Sequence, residues 1–577
     1  MAIGAAGLCL GLLHSAVAAQ PARPAGPPLA PPISLDTTFT VSRLDAAVAI
    51  PIQDLLAGSA PADRPFREVR RFYRERDYAA IWMDGDRLQA RVRDLLARFD
   101  GLDAHGFNPA DYRIDQLREL AQQIEAGGVA ADRLALFDVM LTHAVWRLAR
   151  DLSGARVTDV RLPPDARPQS RTIDGFGLLL RLALADRPGE VLAELMPRSA
   201  AYAGLQRALA RYRAIVAAGG WPAVPEGRTL EPGTRDPRIA QVRRRLIVTD
   251  GAAQVPAAQA DIYDPALREA VKRFQRRHGI TDDGRIGRLT VQAMNVTAEV
   301  RVRQIEANLD RARAFPPPGD GPEIFVNIPE YRLRVIERER VIMDMAVIVG
   351  REVRGTPLMS SRITEIIVNP TWTVPSKLAR EDLLPQLQRD PQRMVDRGFR
   401  IYRRGTGTAR TTAQEVDLRT FDWRSLQQDD MNRFLVRQEA GPRNALGRLR
   451  FTLVNTPSIY LHDTPDRHYF ARDVRSMSSG CVRVERPLEL AEYVLRNNRD
   501  TWSKERIEQA IAATDRRSVP LAQSIPVHLI YVTAWTDGAP DVSFREDLYS
   551  FDEQTEAAID GRSRSLAAVR WAARGPR

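Results

Sequence analysis

The apolar positions along this chain switch from helical spacing to a period of two near residue 320. Ahead of that point they recur at helical spacing. From Phe66 to Phe99 the series runs Phe72, Tyr73, Tyr78, Ile81, Trp82, then Leu88, Val92, Leu95 and Leu96, and it predicts helices. Ordered sequence is expected from near Ala47. Further helices are expected over 111–126, 130–153, 174–185 and 202–217, separated by Gly-Gly, Pro-Pro and Arg-Pro-Gly breaks. A smaller helical pattern follows from Pro237 to Asn295. It reads IAQVRRRLIV, an Ala/Gln loop, PALREAVKRFQRRHG closing at Gly279, an Asp-Asp-Gly turn and a third helix near Thr290.

After the basic helix 298–314 and the linker FPPPGDGP, the period becomes two. EIFVNIPEYRLRVIERERVIMDMAVIVG predicts strand, turn, strand, strand, with Val326, Ile328, Leu333, Val335, Met343 and Val347 facing inward. Pro370 and Pro375 bracket TWTV, the mark of an edge strand entering a cleft. From Lys377 to Gly441 the composition turns polar and charged with short helical pieces, and an insertion of this length reads as a lid. Helices are expected at 486–499 and 504–513, then a β-prone strand, SIPVHLIYVTAWTD. Residues 560–577, rich in Arg and Ala, read as a frayed end. The fold class is multidomain α+β: a helical scaffold, a small three-helix module and a β-rich domain with an inserted lid.

Composition narrows the function. A 44% hydrophobic and 27% charged content suits folded soluble domains. The net charge of +11 is carried almost wholly by Arg, since lysine occurs only at 272, 377 and 504. Both signs are interspersed and no nucleic-acid motif accompanies them, so nucleic acid is excluded as a partner. Residues 1–19 are apolar and end in small-x-small, as a signal peptide does, and predict a periplasmic protein. A retained membrane anchor is the alternative. Residues 20–46 form a Pro-rich linker.

The candidate chemistry lies in YLHDTPDRHYFARDVRSMSSGCVRV, residues 460–484. The other cysteine, Cys9, is in the leader, so Cys481 has no mature disulfide partner. A thiol on one strand and His462 on a neighbouring one fit a nucleophile with its base, suited to cleaving an amide; an inert core cysteine is the other reading. Backbone N–H groups of Gly480 and Cys481 are candidates for an oxyanion hole. Arg483 shares the strand face of Cys481 and suits a peptide carboxylate or an ordinary ion pair. Tyr460 shares the face of His462, and Ser479 is placed to orient imidazole or substrate. His468, Asp463 and Asp466 read as turn residues and His528 as a structural strand residue. A zinc site from His462 and His468 lacks a third ligand, so no metal and no cofactor is expected.

Residues 236–298, on AVKRFQRRHGITDDGRIGRLT, resemble the three-helix peptidoglycan-binding module of cell-wall enzymes. VGREVRGTP, IIVNPTWTVP, GPRNALGRLRF, YLHDTPDRHYF and SMSSGCVRVERP resemble the L,D-transpeptidase catalytic domain of the YkuD type, in the order of the large periplasmic YcbB-like subgroup. The implied organisation is a signal peptide (1–19), linker (20–46), helical scaffold (47–235), binding module (236–298), helix and linker (299–322), catalytic domain (323–549, lid about 378–441) and tail (550–577). The resemblance implies an enzyme that acylates Cys481 with a tetrapeptide stem, releases the terminal D-Ala and transfers the acyl group to an amine of a second stem, with His462 as base and acid. It also implies carbapenem sensitivity, peptidoglycan stem peptides as partners and cell-wall synthases as candidate partners. The alternatives are an L,D-carboxypeptidase or a non-catalytic wall-binding scaffold. Two positions depart from the family. Ser479 stands where a histidine is common, and Asp463 where many relatives have glycine.

Overall fold

A computed structural model of the protein describes residues 43–58, 64–154, 156, 174–314, 319, 321–404, 414–454, 459–537 and 541–568. The leader and all but the end of the Pro-rich linker lie outside these residues. The chain forms two compact units: residues 1–318 with 532–577, and residues 319–531.

The first unit is helical. A helix spans Arg43–Gly58, so order starts a turn before Ala47. The 22-residue helix α1 (Ala131–Leu152) is buried along almost its whole length, its polar residues Asp138, Thr142, His143, Arg147, Arg150 and Asp151 included. Its two deep carboxylates, Asp138 and Asp151, are matched by donors. Asp138 accepts from the backbone of Ile81 and Trp82 and from the Tyr73 hydroxyl at 2.5 Å. The small module follows as α2 (Pro237–Asp250), α3 (Pro265–His278) and α4 (Arg288–Asn295). Asp236 and Asp264 cap the first two, proline takes the first helical position of each, and left-handed Gly251 and Gly279 end them. The third starts after Gly287, and Thr290 is buried inside it. Ile239, Leu246, Leu267, Phe274 and Met294 form its core.

Two expectations about the C-terminal end are corrected. The chain leaves the β-rich unit after Tyr531 and not at 549. Ala534–Thr536 pairs with Val542–Phe544, and both join a core with Tyr202, Leu205, Leu209, Ile305 and Leu309 of the helical unit. Residues 560–568 are not frayed. They lie in helix α5 (Phe551–Ala568), where Arg562 donates to both carboxylate oxygens of buried Asp151 at 2.9 Å. Residues 569–577 lie outside the described set.

The second unit is built on a nine-stranded sheet among the described residues. Its strands are β1 (Glu323–Asn327), β2 (Arg332–Glu337), β3 (Arg340–Gly350), β4 (Met359–Val368), β9 (Leu449–Leu453), β10 (Tyr460–His462), β11 (Ser476–Ser478), β12 (Val482–Val484) and β13 (Arg517–Ile530). The order is β11-β3-β12-β10-β9-β4-β13-β1-β2, and β2 also pairs with β3, so the sheet closes on itself. Five of the six inward residues are fully buried. Met343, opposite Val335 and on the same face as Met345 and Val347, is only half-buried, because it lies in the outer part of β3, where residues 340–344 are exposed or half-buried and only 345–350 are buried.

The insertion folds on its own sheet, ordered β5 (Trp372–Thr373), β8 (Phe434–Gln438), β6 (Phe399–Arg403), β7 (Gln414–Val416). Leu387, Met394, Ile401, Trp423 and Val436 fill its core. The short strand between the two prolines is an edge strand and lines the cleft described next.

Candidate active site

Strands β10 and β12 run parallel, with Leu461 opposite Val482 and His462 opposite Arg483. A period of two puts Tyr460 and His462 on one face of β10, and Cys481 with Arg483 on the same face of its neighbour. All four, with Ser478 and Ser479, line a cleft of about 1000 Å3 whose other wall is the insertion. The six residues singled out from sequence therefore surround one space, apart from Gly480, which lies in the turn behind it.

His462 is 4% exposed. Its Nδ1–H donates to the Asp463 carbonyl at 2.5 Å, which fixes the tautomer and leaves Nε2 as the acceptor. Burial, then the Arg483 guanidinium and more weakly Arg450, lower its pKa to about 3, although the Asp463 carbonyl works the other way. Both arginines sit directly across from it, Arg450 on β9 and Arg483 on β12. The half-buried Cys481 thiol is pushed above its usual value by burial, against the opposing pull of the Tyr460 N–H donated to it and of Arg483 and Arg450. At neutral pH the resting pair is therefore thiol and neutral imidazole, not thiolate and imidazolium.

The turn carrying the thiol is held from three sides. Gly480 has φ +112°, and a Cβ there would meet Ile459 Cδ1 at 3.3 Å. The Ser478 hydroxyl donates to the Cys481 carbonyl at 2.6 Å and accepts from the Gly480 N–H at 3.1 Å. The Thr356 hydroxyl donates to the Gly480 carbonyl at 2.8 Å. The expectation that the Gly480 N–H lines an oxyanion hole is thus at odds with this geometry, since that N–H is already bonded to Ser478. The Cys481 N–H remains a candidate.

Arg483 Nη1 lies 3.3 Å from Asp466, so the ion-pair reading describes it as it stands. Tyr460 carries the Arg450 guanidinium over its ring at 4.6 Å. Exposed Ser479 accepts from Arg354 at 3.2 Å. The carboxylate of Asp463 accepts from the Arg448 N–H at 2.8 Å, anchoring the residue whose carbonyl holds His462. His528 bonds Ser360 and stacks on Phe325, and His468 packs on Tyr469; neither lines the cleft. Among the described residues no group of three or more His, Cys, Asp or Glu is placed to hold a metal, and no helix is long and apolar enough to cross a membrane. Sequence reasoning did not single out Thr356, Arg354, Arg450 or Ser478. Thr356 and Arg354 lie in VGREVRGTP, a signal that was present and unused.

Residues 67–209 match the family described as "Scaffold domain", 235–294 the "Putative peptidoglycan binding domain" and 321–507 the YkuD "L,D-transpeptidase catalytic domain". Over 256 residues the chain is 36% identical to a "Putative L,D-transpeptidase" of Haemophilus influenzae, covering 44% of this chain and 49% of that one. The chain thus spans about half the length of this curated relative. Two solved structures are also similar. An L,D-transpeptidase fragment (residues 123–326) of Xylanimonas cellulosilytica is 14% identical, with 53% of this chain and 99% of that one covered, at a TM-score of 0.17. An L,D-transpeptidase of Stackebrandtia nassauensis is 12% identical, with 54% and 96% covered, at a TM-score of 0.20. Superpositions at that level do not bear on the fold. By its matched segments, the chain carries a YkuD-family L,D-transpeptidase catalytic domain behind a scaffold domain and a peptidoglycan-binding domain.

Proposed function

We propose that the protein is an exported, cell-wall-associated peptidoglycan L,D-transpeptidase with Cys481 as nucleophile and His462 as base and acid. The observation that carries this reading is the parallel β10–β12 register, which sets thiol and imidazole on one face at a cleft, with Nδ1 held and Nε2 left to accept.

His462 Nε2 takes the thiol proton as Sγ attacks the carbonyl at the L-centre of the third-position diamino acid. The Cys481 N–H is the donor offered to the developing oxyanion. Collapse breaks the amide bond, and the imidazolium returns the proton to the leaving D-Ala amine. An amine of a second stem then gives a proton to His462, attacks the thioester and releases the thiol, leaving a cross-link between third-position residues. Water as acceptor would give carboxypeptidase action instead. Arg450 and Arg483 act oppositely on the two partners: they favour the thiolate and disfavour the imidazolium. The proton on His462 is thus short-lived and readily returned.

The test is intact-mass analysis with a carbapenem, and product analysis with disaccharide-tetrapeptides, for wild type and Cys481→Ala. An adduct and a cross-linked dimer are expected from wild type alone. Absence of both from wild type overturns the reading.

A further inference from the structure

The insertion's wall of the cleft is cationic, and a single buried amide builds it. Gln438, at the end of β8, is fully buried. Its Nε2 donates to the carbonyl of Arg397 at 2.9 Å and to that of Arg443 at 2.8 Å, while its Oε1 accepts from the Ala445 N–H at 2.9 Å. Two segments far apart in sequence are thereby held side by side. Arg393 lies one helical turn before Arg397, which donates its N–H to the Arg393 carbonyl at 3.1 Å. Arg393, Arg397 and Arg443 all line the cleft that holds Cys481 and His462.

Their charges are largely unanswered. Among the described residues the guanidinium groups of Arg393 and Arg443 make no hydrogen bond or ion pair, and both residues are exposed. Among the described residues, half-buried Arg397 donates only to the neutral Gln386 Oε1, at 3.0 Å. Burial, then the charge of Arg393, lowers its pKa, although Asp466 works the other way. Two of the cleft's acidic residues are engaged elsewhere. Asp382 is held by Arg354 and Asp466 pairs with Arg483; among the described residues Asp396 accepts only from the neutral Gln392, at 2.7 Å, and offsets one of the three positive charges. Three like charges gathered on one wall repel each other unless something anionic is brought to them. Guanidinium groups are suited to carboxylates, which they bind through paired N–H donors.

We propose that Arg393, Arg397 and Arg443 form a carboxylate-binding subsite that recognises the free carboxylates of a peptide lying across the cleft from Cys481. This rests on the transpeptidase reading only for the identity of that peptide as a peptidoglycan stem. It moves substrate-charge recognition from Arg483, which Asp466 already neutralises, to the insertion. The insertion then does more than cover the site, because it selects acidic peptides and sets their direction in the cleft.

The test measures binding to the Cys481→Ala protein, which cannot turn the peptide over. One probe is a soluble peptidoglycan tetrapeptide with its carboxylates free, and the other is the same peptide amidated. The free form should bind about tenfold tighter at low salt, and the preference should shrink as salt screens it. Adding Arg393→Gln and Arg443→Gln should abolish the preference at an unchanged melting temperature. Arg443→Gln alone, at an exposed loop position, should reduce it and serves if the double variant folds poorly. Equal affinity for the two peptides, no binding of either, or a preference that survives both substitutions overturns the subsite. The catalytic reading is judged separately, by the carbapenem adduct on wild-type Cys481. A charge preference lost on substitution, with no adduct in wild type, would leave the subsite standing and the catalysis not.

Discussion

Arg354 donates one hydrogen bond to Ser479 Oγ at 3.2 Å and, with the same guanidinium, grips the carboxylate of Asp382 at 2.5 and 2.9 Å. Ser479 is two residues before the thiol. Asp382 belongs to a π-helical turn, Ala379–Leu383, inside the insertion, and Glu381 of the same turn also binds Arg354. Ser479, on the turn that carries Cys481, is therefore where the insertion is fastened to that turn. Ser479→Ala removes one acceptor from an exposed contact and is expected to lower the acylation rate less than about tenfold. Arg354→Ala releases the insertion as well and should cost more, about ten- to a hundredfold, through misplacement of the cleft wall. Acylation rates followed by mass, in a double-mutant cycle, should show the serine's effect vanishing once Arg354 is gone.

The pH profile follows from the neutral resting pair. With His462 titrating near 3 and the thiol raised above its usual value, the reactive form should dominate across the whole range between them. The kcat/KM profile is expected to show no acid limb at pH 6–7, and any limb should lie below about pH 5. A limb near 6.5 would mean that the imidazole is not desolvated as the structure has it. The same shift acts on stability. The unfolded chain protonates this histidine near 6.5 and the folded chain does not. The folded state therefore loses stability as pH falls from about 6.5 towards 3. His462→Gln should flatten that part of the curve, read by urea unfolding at several pH values.

Gly480→Ala tests the turn itself. The residue sits at φ +112°, which side-chain-bearing residues rarely adopt, and the added methyl would lie 3.3 Å from Ile459 Cδ1 and 3.5 Å from the Gly355 carbonyl oxygen. The cost should be of order 1–3 kcal/mol. The larger effect should be on the thiol that follows, with acylation reduced more than a hundredfold in protein that still melts cooperatively.

The juxtaposition of Cys481 and His462 is legible because a period of two and the run of apolar residues locate strands without any tertiary knowledge. Cys481 and His462 stand out once those strands are drawn. What was not legible depends on which partner a polar group finds. The Gly480 N–H is claimed by a serine hydroxyl two residues away, and the Arg483 charge by Asp466 in the loop after β10. Neither rotamer is written in the spacing. Met343 is on the predicted face, opposite Val335, but a period of two does not say how far along β3 the core extends, and burial begins only at Met345. The end of the β-rich unit was overrun because SIPVHLIYVTAWTD reads as one strand. The chain instead ends β13 at Ile530 and starts a hairpin of the other unit at Ala534.

The C-terminal helix supplies the sharpest test of that boundary. Arg562 and Asp151 form an ion pair with side-chain exposures of 13% and 2%, and Asp151 also accepts from the Tyr112 hydroxyl at 2.8 Å. Burial alone would raise the Asp151 pKa. The charge of Arg562 leads the opposing causes, followed by Arg156 and Arg147, and the net direction is down. Removing the arginine leaves a buried carboxylate short of its main partner, so Arg562→Ala should destabilise the helical unit by about 3 kcal/mol. Breaking the exposed Arg181–Glu194 pair in the same unit, whose exposures are 59% and 53%, should cost under about 1 kcal/mol. Because the folded Asp151 pKa lies below its unfolded value, the pair's contribution is present above about pH 4 and fades as the pH drops further. Urea unfolding of Arg562→Ala and Arg181→Ala at pH 7 and pH 3 separates the two cases. A tail that merely frayed would make the variants indistinguishable at both.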